Sequence, residues 1–320
     1  MVYGIFIAAA FVVIMGAIYL NRFGDVISRK SALSGAAVGT FLIAGATSLP
    51  ELTTSFTAVY IDNTDIAVGN MLGSNVFNLL IIASMDVVYR RKKLFQHASA
   101  RDNVPTALIG LLFTLIIIIA LINPGSIELF NVGVEMVLIF VMYAVYIKLS
   151  NSSEEEKEEE QVDKDYNLKT AIYGFIGASV VVFVAGSALS ISGDRLATIT
   201  GMNSSFVGSF LIAAATSLPE FVAVLAAIKM ANYNMAIGSI LGSNLFNLQI
   251  LFLTDVMYQD SAILKAVHTS NMYIAILCVF MIVVVMFNLL RTKGTGNTWM
   301  YAAPSLLVTL VYFVVSYTIF

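Results

Sequence analysis

Ala44-Gly45-Ala46-Thr47-Ser48-Leu49-Pro50-Glu51 places a proline and a carboxylate inside a long apolar run. The pattern returns as Ala213-Ala214-Ala215-Thr216-Ser217-Leu218-Pro219-Glu220. Glu51 and Glu220 are 169 residues apart, and the same offset relates much more of the chain. It pairs Gly24-Asp25 with Gly193-Asp194, Val38-Gly39 with Val207-Gly208, and Gly69 with Gly238. It also pairs Leu72-Gly73-Ser74-Asn75 with Leu241-Gly242-Ser243-Asn244, Phe77-Asn78-Leu79 with Phe246-Asn247-Leu248, and Asp86 with Asp255. Matches at one offset over roughly 60 residues mark an internal duplication.

The chain around these copies is 59% hydrophobic and 12% charged over 320 residues. A soluble domain carries about a quarter charged residues, so the composition points to a polytopic membrane protein. Two His, one Trp and a single cysteine, Cys278 in an apolar run, leave little from which to build a soluble enzyme site, an intrachain disulfide or a metal cluster. A net charge of -3 argues against a nucleic-acid partner. No Lys or Arg precedes the first apolar run, and Arg22 follows it, so this run reads as a retained first span and not a cleaved signal.

A helix crossing the hydrocarbon core needs about 20 apolar residues. Scanning with that length yields ten candidate spans, at 2–20, 32–59, 65–85, 103–122, 128–148, 169–189, 203–228, 234–256, 270–290 and 299–319. The second and seventh are too long for a simple crossing and contain the Pro-Glu pairs, which predicts broken or strongly tilted helices. Of the 17 Lys and Arg, all but Arg195 and Lys265 fall in connections that follow odd-numbered spans. Those connections are therefore cytoplasmic, and both termini are expected outside. The stretch 150–167, with its Ser-Glu-Glu-Glu-Lys-Glu-Glu-Glu run, reads as a solvated acidic linker between two halves, 1–149 and 168–320. Five spans per half is an odd number, so the second half enters the membrane from the opposite side. The expected fold class is an all-α polytopic membrane protein of about ten transmembrane helices, arranged as two inverted five-helix repeats. Proteins built this way bind their cargo near the midplane, where broken helices meet.

The motif itself is suited to cations. Pro50 and Pro219 lack an N–H, and their rings clash with the carbonyls of Ala46 and Ala215. In a bilayer such carbonyls need other partners, and a bound cation is one. Thr47, Ser48, Thr216 and Ser217 add hydroxyls. Ser48-Leu49-Pro50-Glu51 also reads as a capping box, with Ser48 capping and Glu51 three residues on. Both readings can hold, the cap rebuilding the helix after the break. A carboxylate at membrane depth nevertheless demands a functional partner. Ser74 and Asn78 share a helix face, as do Ser243 and Asn247. The pairs Gly69/Gly73 and Gly238/Gly242 predict close helix packing, which would press those polar residues against the broken helices. Asn75 and Asn244 point about 100° away from that face. Asp86 precedes Arg90-Arg91-Lys92-Lys93 and is expected in an interfacial salt bridge. Glu128 and Glu135 are expected near the interface, and His97 and His268 in solvated connections. Two carboxylates among hydroxyls and carbonyls form a hard oxygen site, which disfavours zinc and copper and suits Ca²⁺ or Na⁺.

The paired Gly/Ala-x-Thr-Ser-Leu-Pro-Glu and Gly-Ser-Asn-x-x-Asn elements resemble the alpha repeats of the sodium/calcium exchanger family, within the calcium/cation antiporter superfamily. The resemblance implies that Glu51 and Glu220 bind Ca²⁺ with the backbone carbonyls of Thr47 and Thr216. It implies flanking Na⁺ sites at Ala44, Ser48 and Ser74 and at Ala213, Ser217 and Ser243, with Asn78 and Asn247 lining the centre. Some relatives, including potassium-dependent ones, have Asp where this chain has Asn247, and its absence argues against K⁺ co-transport. The Gly-Asn-x-x-Glu signature typical of the proton-coupled branch is absent, as is the large cytoplasmic regulatory domain of the animal exchangers, so the chain looks like a prokaryotic-type member.

The expected function is secondary antiport of Na⁺ against Ca²⁺ in the plasma membrane, by a monomer needing no cofactor and catalysing no chemical reaction. Ca²⁺/H⁺ or other cation/H⁺ exchange is the alternative, and a cation channel or sensor the alternative from another class.

Overall fold

The computed structural model describes residues 1–30, 47–123, 127–150, 167–291 and 297–319, without the side chains of 28–30 and 150. Ala44 and the front of the second predicted span lie outside the described residues. The structure is helical throughout, apart from a two-stranded hairpin, β1 (Glu128–Leu129) and β2 (Val132–Gly133), turned through Phe130 and Asn131, both at positive φ.

Helix α1 (Val2–Lys30) outruns its apolar stretch by more than two turns. The short α2 (Leu49–Tyr60) leads into α3 (Thr64–Val88), and a four-residue α4 (Leu94–His97) precedes α5 (Ala100–Ile122). After the hairpin comes α6 (Val134–Ser150), then the 33-residue α7 (Leu168–Thr200), which stops at Gly201 in the left-handed conformation at φ 74°. Helix α8 (Ser204–Thr216) contains a π-helical turn at Val207–Ile212 and meets α9 (Leu218–Lys229) at a 44° bend. Helices α10 (Tyr233–Met257), α11 (Ser270–Leu290) and α12 (Thr298–Ile319) complete the chain.

Seven of these helices are long and apolar enough to cross a membrane, and the bent α8/α9 pair makes an eighth. Helix α6, on the fifth predicted span, has 17 residues. The second predicted span contributes α2, and its front part is not described.

The duplication is visible in the element boundaries. Helices α2 and α9 begin and end at residues related by the sequence offset, and so do α3 and α10. Each pair is joined by the same three-residue turn. Asp62 in one and Ala231 in the other adopt φ 60°, and Asn63 and Asn232 follow as N-caps, accepting from Ile66 N and Met235 N, each at 3.0 Å. An N-cap side chain satisfies one backbone donor that the first turn leaves open.

Burial orders the helices around α3. Its apolar window is 94% buried, against 22% for α1, so α3 is the central post and α1 presents most of its surface outward. Helix α1 packs along α7, and α7 continues onto α2, where Thr57 Oγ1 and Ser187 Oγ share a 2.9 Å hydrogen bond. Against α3 lie α2, α8, α10, α11 and α12. The site is built where α2, α8/α9 and α10 meet that post.

Candidate functional site

The two breaks are nearly superimposable in conformation. Ser48 has φ −95°, ψ 8° and Ser217 has φ −90°, ψ 4°, each followed by a helix with proline at its second position. Proline fits there because first-turn N–H groups have no intrahelical partner to lose. Neither serine caps the new helix through its side chain, so the capping-box expectation fails at both copies. Ser217 Oγ instead donates to Glu51 Oε1 at 3.4 Å, across the two halves, and Ser48 Oγ has no protein partner.

Helix α8 approaches α3 at backbone distance. A Cβ on Gly73 would lie 2.2 Å from Ser209 O, and one on Gly208 would lie 2.7 Å from Ile66 O. Only hydrogen at these positions permits the crossing. The close packing expected of Gly69 and Gly73 is met, against the backbone of α8; that expected of Gly238 and Gly242 is not, since a Cβ on Gly242 would meet nothing within 4 Å and one on Gly238 only Asn103 Oδ1 at 3.3 Å. Beside the crossing, Thr216 Oγ1 and Ser74 Oγ share a hydrogen bond at 3.5 Å, and Thr216 also donates to Asn70 Oδ1 at 3.4 Å.

Glu51 and Glu220 are both buried. Glu51 Oε2, Glu220 Oε2, Ser48 Oγ, Asn78 Oδ1 and Asn247 Oδ1 are all buried without a hydrogen-bond partner. Leaving a buried acceptor unpaired costs about 1–3 kcal/mol, more when it is charged. Five such oxygens on the repeated motifs, with two carboxylates among them, form an acceptor-rich centre whose natural complement is a cation. No lysine or arginine is found among these groups.

The other predicted residues differ in burial. Thr216, Ser217, Ala213 and Ser74 are buried. Thr47 and Ser243 are partly exposed, unlike their repeat counterparts Thr216 and Ser74.

Three asparagines carry more than the sequence indicated. Asn70 Nδ2 donates to Thr54 Oγ1 (2.6 Å), Ser55 Oγ (3.0 Å) and Glu51 O (3.2 Å), tying α2 to α3 just behind the carboxylate. Its repeat counterpart is Ser239, so the duplication gave no signal for it. Asn75 and Asn244, expected to point away from the site face, do so into the interface between α3 and α10. There Asn78 Nδ2 donates to Asn244 Oδ1 and Asn247 Nδ2 to Asn75 Oδ1, each at 3.0 Å, and Asn244 Nδ2 donates to Asn75 O at 3.1 Å.

The expected salt bridge of Asp86 to the 90–93 basic run is not formed. Asp86 is fully buried, accepting from Tyr301 OH at 2.7 Å and Ser305 Oγ at 2.6 Å, with Arg291 as its cationic neighbour. Asp86 accepts instead from two hydroxyls of α12 and from the backbone N–H of Leu94, just past the basic run. Asp255 accepts backbone N–H groups of Gly133 (2.8 Å) and Ile263 (2.6 Å). Glu128 pairs with Lys265 at 2.9 Å, on the surface as expected.

A family profile described as sodium/calcium exchanger protein matches residues 1–149 and 170–320. An uncharacterized membrane protein of Methanocaldococcus jannaschii is 28% identical over 222 residues, covering 68% of this chain and 69% of that protein. The sodium/calcium exchanger MaX1 of Methanosarcina acetivorans is 24% identical over 335 residues, covering 93% and 95%. Among solved structures, the H⁺/Ca²⁺ exchanger CAX superposes with TM-score 0.67 at 14% identity, covering 99% of this chain and 89% of that one. The sodium-calcium exchanger NCX_Mj superposes with TM-score 0.59 at 19% identity, covering 98% and 96%. At such identities the superpositions speak for the fold, whereas the profile covers both halves of the sequence. The chain is a multi-pass integral membrane protein and belongs to the sodium/calcium exchanger family.

Proposed function

We propose that the chain is a secondary antiporter that exchanges Na⁺ for Ca²⁺ at one midplane site, opened alternately to either side. One observation supports this reading: the glutamates of the two Pro-Glu motifs are both buried, and each has one carboxylate oxygen without a hydrogen-bond partner among the described residues. Ca²⁺ takes six to eight oxygens in flexible geometry, and two carboxylates balance its charge. Glu51, Glu220 and the carbonyls of Thr47 and Thr216 are its ligands in this reading, with Asn78 and Asn247 lining the centre. Na⁺ occupies flanking positions at Ser48, Ser74 and Ala44 and at Ser217, Ser243 and Ala213. An empty pair of facing carboxylates at membrane depth is costly, so the carrier returns loaded, and transport is exchange and not uniport.

The reading includes ten spans in two inverted repeats, 1–149 and 168–320, joined by an acidic linker at 150–167. Both termini lie outside the plasma membrane, and the monomer suffices. The matching ranges of α2/α9 and α3/α10 and the distribution of basic residues support this arrangement.

Ca²⁺/H⁺ exchange is kept as a second reading because the fold superposes well on CAX. The deciding experiment loads proteoliposomes with Na⁺ and follows radiolabelled Ca²⁺ uptake, then replaces the Na⁺ gradient with a pH gradient. Uptake that follows Na⁺ and ignores pH is expected. Uptake driven by the pH gradient alone transfers the conclusion to proton coupling, and uptake indifferent to both gradients points to a channel.

A further inference from the structure

We infer that Asn75 and Asn244 are positioning residues, whose hydrogen bonds fix which face the amides of Asn78 and Asn247 turn toward the ion. This rests on the cation-site reading above.

A primary amide offers an acceptor on one side and two donors on the other. Only the acceptor side suits a cation, and an amide free to flip would spend time presenting N–H groups that repel it. Here neither amide is free. The Nδ2 of Asn78 is held by Asn244 Oδ1, and that of Asn247 by Asn75 Oδ1, each at 3.0 Å. All four side chains are at most 4% exposed, which limits water as a substitute partner. Flipping Asn247 would turn its Oδ1 onto Asn75 Oδ1, acceptor against acceptor; flipping Asn78 does the same at Asn244. The unflipped arrangement leaves Asn78 Oδ1 and Asn247 Oδ1 as the two unpartnered amide oxygens, the state an incoming cation needs.

The bonds are also crossed. Each amide of one repeat is oriented by the other repeat, and Asn244 is steadied in turn by its 3.1 Å bond to the Asn75 carbonyl. The third residue of Gly-Ser-Asn thus serves the site without facing it. Orientation is set between α3 and α10 and does not depend on the broken helices.

The test uses the full chain in proteoliposomes, with Ca²⁺ and Na⁺ each titrated as the probe ion. Asn75→Leu removes the acceptor at similar volume, and Asn75→Asp keeps it. The expected result is a Ca²⁺ KM raised about tenfold in Asn75→Leu, as one ligand oxygen is lost to flipping, with kcat changed far less. Asn75→Asp should keep KM at or below the wild-type value. Equal KM shifts in both variants, tracking lost thermal stability, would mean a merely structural role and overturn the inference. Glu51→Gln runs alongside. If it abolishes exchange while Asn75→Leu leaves KM unchanged, the orienting role falls and the cation site stands. If Glu51→Gln transports as the wild type does, the site itself falls and the inference with it. Should Asn75→Leu not fold, Asn75→Ser, too short to reach Asn247, carries the same expectation.

Discussion

Gly73→Ala is the smallest change that probes how the site is assembled. The added carbon would stand 2.2 Å from Ser209 O and 2.3 Å from Ser209 Cα, where ordinary contact begins at 3.4 Å. Both atoms are backbone, so no rotamer change can relieve the overlap. Helix α8 must move off α3 by roughly 1 Å, and overpacking of this kind costs about 1–3 kcal/mol. The displacement is spent where it matters. Ser74 is the next residue, and its bond to Thr216 is already 3.5 Å long, as is that of Ser217 to Glu51 at 3.4 Å. Another ångström breaks both, moving the far half of the site away from Glu51. A misplacement of about 1 Å can cost on the order of a hundredfold in rate. Ca²⁺ uptake by proteoliposomes should therefore fall by about that factor, with a lower melting temperature in detergent. Gly177→Ala on α7 is the control, since a Cβ there meets nothing within 4 Å. Wild-type uptake and melting in Gly73→Ala would refute the claim that backbone contact at this crossing sets the site.

Glu51→Gln and Glu220→Gln should each abolish Ca²⁺ exchange while the protein still folds, because either one removes half of the charge that balances the ion; wild-type uptake in either variant counts against a two-carboxylate site. Tyr301→Phe deletes one of the hydroxyls that satisfy buried Asp86, together with the acceptor for Phe95 N, and should destabilise by about 1–3 kcal/mol without changing the Ca²⁺ KM. A shifted KM with unchanged melting would place Asp86 in transport instead. Glu128 is held below the usual carboxylate range by the Ala262 N–H and then by Lys265. Its contribution to stability is therefore present above the unfolded value, about 4.3, and is lost as pH falls through the lowered folded value. Glu128→Gln should flatten the acid limb of a melting-temperature profile, and an unaltered limb would show that the pair contributes nothing.

The sequence exposed the duplication because the site needs the same side chains twice, and identical letters at one offset survive inspection without any structure. The breaks were legible for the same reason, since proline in an apolar run has few uses. What stayed hidden depended on contacts across the repeats. Nothing local distinguishes a Ser48 that caps its helix from one left open, or tells that Ser217 reaches Glu51. The direction of Asn75 was predicted correctly, yet pointing away from the site meant pointing into the other asparagine pair. Asn70 has a serine counterpart and so escaped a search for repeats. The π-helical turn in α8 has no sequence signature, though Gly208 within it marks the close approach. Asp86 was misplaced because four basic residues nearby in sequence outweighed two hydroxyls more than 200 residues away, which only the folded chain brings near.

Asp86 and Asp255 show what a duplication does to a residue with a structural task. They close equivalent helices, α3 and α10, at the same offset, and both are fully buried. They share one partner, the backbone N–H of the residue eight positions on, Leu94 for Asp86 and Ile263 for Asp255. Beyond it, Asp86 takes two side-chain hydroxyls from α12 and has Arg291 for a charged neighbour, whereas Asp255 takes the N–H of Gly133 and has Glu128 and Glu135 nearby. Copies lying on the same side of the membrane would meet similar loops and similar charge. Copies on opposite sides would meet a basic cytoplasmic rim in one case and a basic-poor outer surface in the other. The charged neighbours differ in the sense that the proposed inverted arrangement expects. In the proposed midplane site, by contrast, the two copies would share a common centre, and there Glu51 with Glu220 and Asn78 with Asn247 are alike. The pattern of likeness inside and difference at the ends is what an axis through the site and parallel to the bilayer would produce.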